Sequence, residues 1–163
     1  MNGFQGLFEL RTTNHLFKKL EYDLGRLGQD RTNQYAAFDF FVTAHHMEDW
    51  VYPDEGGKQN KGKRKQLEAR SPLLQICSHI ANGSKHFKAT AKHHRAVKDT
   101  SLRKGAFDSI AFASDAFDTS RLVISLDENV AKQLSLHTDE IECLVLAEKV
   151  LKFWKEHLAS LTL

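Results

Sequence analysis

Apolar residues recur at helical spacing along much of this chain. A second helix is predicted from about Thr32 to Tyr52, where Pro53 stops it, and it is apolar almost all round. A helix of that kind is buried on more than one side. The first helix is predicted from a single leucine stripe at intervals of four, four and three residues, consisting of Leu16, Leu20, Leu24 and Leu27.

Two further helices are predicted after Pro53. One opens at Ser71-Pro72, with proline in its first turn, and runs to Phe87. Its polar face is a narrow stripe of amides and imidazoles: Gln75, His79, Asn82 and His86. The last helix is capped by Thr138 and has a wide apolar face: Cys143, Leu146, Ala147, Val150, Trp154, Leu158 and Leu161.

The segments between these helices have a different composition. Residues 54–70 hold three glycines and a run of lysine and arginine, which predicts a flexible, basic, exposed loop. Residues 88–104 are polar and basic and are interpreted as a connection. Alternation near Phe107 and the β-branched run 121–126 predict one β-hairpin over about 106–126.

These elements predict one domain over residues 1–163. The fold class is all-α, an antiparallel bundle of four to five helices into which the hairpin is inserted before the last helix. A hairpin alone is marginally stable, so it is expected to lie against the helices.

Composition narrows the class of protein. The chain has 163 residues, a net charge of +2 and two cysteines, Cys77 and Cys143, on apolar helical faces. This pattern favours buried thiols over a disulfide framework or a metal site. No apolar run approaches the length of a membrane span, and the first eleven residues lack the features of a signal peptide. We therefore expect a cytoplasmic protein with no membrane partner.

The polar stripe of the third predicted helix carries the strongest candidate for chemistry. Asn82 and His86 stand four residues apart, with Lys85 beside them and Ala81 before them. This arrangement resembles the motif of the HEPN superfamily, in which an arginine, usually followed by a polar residue such as asparagine, precedes a histidine on a helix of an α-helical bundle. Three further segments resemble small HEPN-like proteins of phage and mobile elements: residues 38–53, 106–126 and 147–158.

The resemblance implies a fold and two functions. HEPN ribonucleases cleave RNA without a metal, with the histidine as general acid or base and the arginine stabilising the scissile phosphate across a dimer interface. Ala81 occupies the arginine position here. The resemblance therefore implies a non-catalytic HEPN-like binding or accessory protein, homodimeric, of a phage, mobile-element or defence system. The alternative is a metal-independent ribonuclease that uses His86 with Asn82 and Lys85.

A second group of candidates lies on the second predicted helix. His45 and Asp49 are four residues apart on one face. One interpretation is that they support His86, Asn82 and Lys85, together with His79; another is that they ligate a metal ion with His79 or His86. A third interpretation is structural: His45 and Asp49 pair with Asn82, Lys85 or His86 and fix the register of two helices. We expect no metal and no cofactor.

Basic residues form the third group. If the loop and the segment after Phe87 meet at one end of the bundle, their lysines and arginines form a phosphate-binding patch for RNA. Otherwise the charges of the loop are only solvated, and the partner of the chain is a protein. The residues of this candidate nucleic-acid surface are Lys61, Lys63, Arg64, Lys65 and Lys88.

Overall fold

The structure of the chain is a computed structural model that describes residues 7–86, 95–104 and 120–161, with the backbone alone at His86. The described chain is mostly helical and also contains a small antiparallel sheet. Its helices are α1 Thr13–Gln29, α2 Gln34–Val51, α3 Gly57–Arg70, α4 Pro72–His86, α5 Glu128–Gln133 and α6 Cys143–Leu161, with a 3-10 turn at Asp54–Gly56. Its strands are β1 Val97–Arg103, β2 Arg121–Leu126 and β3 Glu140–Glu142.

Local capping explains where the first helices begin and end. The Thr12 side chain accepts a hydrogen bond from the backbone N–H of His15, and the Asn33 side chain accepts one from Ala36. Helix α2 ends at Val51, two residues before Pro53, as the proline predicts. Helix α4 begins at Pro72, where the first-turn N–H would have no partner within the helix in any case.

Helix α2 is the centre of the core, because it packs against α1, α4 and α6. Its burial on several sides confirms the prediction from its apolar pattern. The large side chains that are fully buried come from four helices and from β2: Trp154, Phe40, Phe41, Leu20, Leu27, Met47, Leu74, Ile76, Ile124, Leu126, Leu146 and Val150.

One charged residue is part of the α1–α2 contact. Asp23 is 1% exposed and pairs with Lys19 and with Arg26, whose Nη1 lies 3.5 Å from Oδ1. The Lys19 Nζ also donates to the Thr43 hydroxyl on α2, at 3.0 Å. A buried carboxylate with such partners avoids the cost of an unpaired charge and fixes the register of the two helices.

The sheet differs from the predicted hairpin. Strand β2 occupies residues 121–126 as predicted, but its first neighbour is β1 at Val97–Arg103, in the segment interpreted as a connection. The predicted first strand near Phe107 lies outside the described residues. A third strand, β3, pairs with β2 on its other side, and α6 begins at Cys143, after the predicted cap Thr138. The fold is therefore not an all-α bundle with a single hairpin.

The prediction of a flexible loop over 54–70 is also wrong. After the 3-10 turn, Gly57 adopts φ 58°, a left-handed conformation that suits glycine, and residues 57–70 then form α3. No residue of α3 is buried, so the apolar periodicity that signals a helix is missing. Within the described ranges, none of the helices combines the length and the apolar character needed to cross a bilayer.

The core analysis predicts unequal effects for two phenylalanines of α2. Phe40 is fully buried and Phe38 is 50% exposed. We expect Phe40→Ala to lower the free energy of unfolding by about 3–5 kcal/mol, because it leaves a cavity in the core. Phe38→Ala is the matched control and should cost less than about 1 kcal/mol. Urea denaturation of both variants checks this, and equal losses would contradict the assignment of α2 as the core helix.

Candidate functional site

Helix α4 positions the motif residues differently from one another. Ala81 faces the core and is 8% exposed, while Lys85 is exposed near the helix end. The Asn82 side chain is half-buried, and its Nδ2 donates to the Ser78 carbonyl oxygen one turn earlier, at 2.8 Å. His86 is the last residue of α4, so it marks the end of the helix in the described chain.

Two members of the polar stripe on α4 connect structural elements. The His79 Nδ1 accepts a hydrogen bond from the backbone N–H of Val97 at 3.0 Å, which joins α4 to the start of β1. This bond requires a ring that is unprotonated at Nδ1. Gln75 donates through Nε2 to the carbonyl oxygens of Glu68 and Ala69 at the end of α3. The stripe predicted as one polar face therefore includes interhelical and helix–sheet contacts.

On α2, Asp49 is directed toward α3. Its carboxylate lies 3.3 Å from His46 Nδ1 and 3.4 Å from the guanidinium of Arg64. The hydrogen bond with His46 and the charge of Arg64 lower the pKa of Asp49. His45, four residues before Asp49, is half-buried. Among the described side chains, the partners of Asp49 are therefore a histidine of its own helix and an arginine of α3, and not the predicted Asn82 or Lys85. The side chain of the third predicted partner, His86, lies outside the described part of the chain.

Arg64 attaches α3 to the rest of the protein. Its Nη1 donates to the Tyr52 carbonyl oxygen at 2.6 Å, and its Nη2 lies 2.5 Å from the Asp54 carboxylate. Its side chain is only 16% exposed. Next to it, the Asn60 Nδ2 donates to the Pro53 carbonyl oxygen at 2.8 Å. The sequence predicts that Arg64 contacts nucleic acid, but these contacts occupy its guanidinium within the fold.

The other cations of α3 are available at the surface. Lys58, Lys61 and Lys65 are spaced by three and four residues and lie on one exposed face, which we call the α3 lysine face. None of these three lysines forms an ion pair within the part of the chain that the structure describes. Lys63 lies to one side, with its Nζ 5.6 Å from the centre of the Tyr52 ring. Lys88, the last predicted member, lies outside the described residues.

A buried carboxyl group lies beneath this region. Glu48 is 4% exposed, and its Oε1 has no hydrogen-bond partner among the described residues. Burial is the main cause that raises the pKa of Glu48 to about 8; the charges of Glu68 and Asp49 act in the same direction, and the charge of Arg64 opposes them. Glu48 is not among the candidate residues predicted from the sequence. Its spacing of seven and four residues from Phe41 and Ala44 was the available signal for its burial.

The described side chains do not form a metal site. Across residues 7–86, 95–104 and 120–161, no group of three or more histidine, cysteine, aspartate or glutamate residues is placed to hold a metal ion.

Comparison of the chain with models of protein families, with curated proteins and with solved structures found no match.

The burial of Glu48 predicts a pH-dependent stability. The pKa of Glu48 is about 8 in the folded protein and 4.5 for an ordinary glutamate, so the folded state holds a proton that the unfolded state has lost between these values. The stabilising contribution is complete below pH 4.5 and is lost as the pH rises to about 8.

Glu48→Gln should remove this dependence, because the amide has nearly the same shape and does not ionise. We expect the variant to gain stability relative to the parent chain as the pH rises, by up to a few kcal/mol at about 1.4 kcal/mol per pKa unit. Thermal unfolding from pH 5 to pH 9 measures the difference, with Glu156→Gln at an exposed position of α6 as the control. A constant difference between parent and Glu48→Gln would contradict the buried, protonated state.

Proposed function

We propose that this chain is a non-catalytic, HEPN-like binding protein and that its ligand is the phosphate backbone of a nucleic acid. The observation that carries this proposal is the α3 lysine face, three exposed lysines that no carboxylate among the described residues neutralises. The HEPN-like bundle remains part of the proposal. It is supported by four long helices around one core, α1, α2, α4 and α6, and by the placement of Asn82 and His86 on α4.

The environment of α4 supports binding without catalysis. The position that holds arginine in HEPN ribonucleases is Ala81, which faces the core. Asn82 uses its amide hydrogen bond on its own helix. Loss of one preorganised donor to the transition state typically costs about a hundredfold to a thousandfold in rate. A phosphate at this helix would therefore lack the donors that cleavage requires.

The composition of α3 favours nucleic acid over a membrane or a protein. A helix that binds at a bilayer surface needs a broad apolar face, and protein interfaces have an apolar centre. Helix α3 has one large apolar side chain, Leu67, which is half-buried against the core. Phosphate groups need only cations and hydrogen-bond donors, and the lysine face supplies these.

The dimensions of the face suit a run of phosphates. Lys58 and Lys65 are seven residues apart, which is about 10 Å along a helix at 1.5 Å per residue. Contacts of this kind position a backbone but do not read bases, so binding should be insensitive to sequence. Three such contacts give a slope of log K against log salt of about −2 to −3.

Replacing the three lysines tests the proposal. We expect Lys58→Ala/Lys61→Ala/Lys65→Ala to weaken binding of a labelled single-stranded RNA and of a duplex DNA at least tenfold, and to flatten the salt dependence. Lys149→Ala/Lys152→Ala/Lys155→Ala is the matched control, because it removes the same charge from exposed positions of α6. Fluorescence anisotropy at several salt concentrations measures both effects. Equal loss in the two triple variants would contradict a site on α3.

Incubation of the parent chain with RNA in EDTA tests the absence of catalysis. We expect the RNA to remain intact, because the arginine position is buried and apolar. RNA cleavage that disappears in His86→Ala would contradict this proposal and would establish the metal-independent ribonuclease that uses His86 with Asn82 and Lys85.

A further inference from the structure

Strand β1 forms one side of the three-stranded sheet, whose order is β1-β2-β3. Among the described residues, its hydrogen-bonded neighbour is β2 alone, so its other side presents backbone N–H and C=O groups without a strand partner. Val97 is half-buried and the remaining residues of β1 are exposed. An edge strand of this kind is a template for pairing with another strand.

The features that keep an edge strand from pairing with another strand occur in β1 only at its beginning. The register shifts between Val97 and Asp99, and Lys98 there lies 3.6 Å from the Asp139 carboxylate. Bulges and lysines are features that discourage edge-to-edge pairing. From Asp99 to Arg103 the pairing with β2 is regular, so this half of the edge has no bulge, and no strand among the described residues pairs with its outer side.

An apolar groove of about 530 Å³ runs beside this open half, between α2, α4 and the sheet. Large side chains at its margin remain in contact with solvent: Tyr35 is 81% exposed, Phe38 50% and Leu102 44%. Leu102 is opposite the buried Leu122, so it lies on the face of the sheet that is turned toward the core. The groove therefore continues the core up to the open edge.

We propose that β1 pairs antiparallel with β1 of a second copy of this chain, about a two-fold axis through Ser101. Antiparallel pairing on such an axis puts one residue opposite its own copy. With Ser101 on the axis, Asp99 of each chain stands opposite Arg103 of the other, which places two opposite-charge pairs across the interface. The same register aligns Lys98 with Lys104 of the other copy, but both lysines lie outside the regular pairing of Asp99 to Arg103.

Neighbouring registers lack this complementarity. With Thr100 on the axis, Asp99 faces Ser101 and Lys98 faces Leu102 of the other copy. With Leu102 on the axis, Arg103 faces Ser101. Of these three registers, only the one centred on Ser101 places opposite charges across from one another. Arg103 already pairs with Glu140 of its own chain, so Asp99 of the second copy adds an acceptor on the same face of the sheet.

The same register covers the groove. Thr100 stands opposite Leu102 of the other copy, on the face that carries the buried Leu122 and Ile124. Each chain therefore adds a leucine beside the other's groove and removes its own Leu102 from water. The interface would join two three-stranded sheets into one six-stranded sheet and would leave both α3 lysine faces outside it.

Cysteine cross-linking tests the register. Opposed residues of an antiparallel pair have Cα atoms about 4.5–5.5 Å apart, within the range of a disulfide. We expect Ser101→Cys to form a covalent dimer on mild oxidation. Lys104→Cys, at the exposed end of the same edge, is the matched control. Its two copies lie six residues out of register, about 20 Å apart, and should not cross-link. The natural Cys77 and Cys143 are buried and do not compete.

Sedimentation equilibrium of the parent chain and of Asp99→Lys completes the test. We expect a dimer for the parent and at least tenfold weaker association for Asp99→Lys, which places like charges opposite one another. A monomeric parent, or equal cross-linking of the two cysteine variants, would overturn the proposal and assign the edge to another occupant. The α3 triple lysine variant should remain dimeric, so failure of this interface and failure of nucleic-acid binding are distinguishable.

Discussion

The burial of α2 is the constraint on which the rest of the structure depends. A helix that is apolar almost all round must be covered on each side, and α1, α4 and α6 cover three of them. The two ends of α2 then organise the surface features of the fold. At its start, Tyr35 and Phe38 border the apolar groove beside the sheet. At its end, Asp49 and Tyr52 hold the arginine that attaches α3.

The polar groups of α2 are placed according to their surroundings. Thr43 meets the Lys19–Asp23 pair of α1, and Asp49 meets Arg64 of α3. Glu48 is different, because it is buried without a hydrogen bond to its Oε1 among the described residues, and protonation makes this burial tolerable. A single helix therefore combines a packed core, two fixed polar contacts and one group whose charge depends on pH.

The sequence predicts the long helices and the strand β2, which bury broad apolar faces, and misses two exposed elements, β1 and α3, and two short ones, α5 and β3. The leucine stripe of α1, the end of α2 before Pro53 and the start of α4 at Pro72 follow from local rules. Strand β1 and helix α3 are exposed on nearly all sides, so they lack the alternation or periodicity that reveals a strand or a helix.

The contacts of the candidate site depend on tertiary neighbours for the same reason. Exposed lysines at Lys58, Lys61 and Lys65 follow from composition, but the removal of Arg64 from this set does not. Arg64 is removed from this set by the Tyr52 carbonyl and the Asp54 carboxylate, which lie at the 3-10 turn before α3. His79 likewise finds its donor at Val97, eighteen residues later and on a strand that local patterns do not reveal.

The attachment of α3 by polar contacts has a consequence for its dynamics. A helix without buried residues adds little apolar area to the core, so its opening exposes little new surface to water. Arg64, Asn60 and Gln75 therefore set the free energy of a local opening that lies well below that of global unfolding. The amide protons of α3 should exchange with solvent through this opening while those of α2 are retained, and an anion bound to the lysines would slow their exchange.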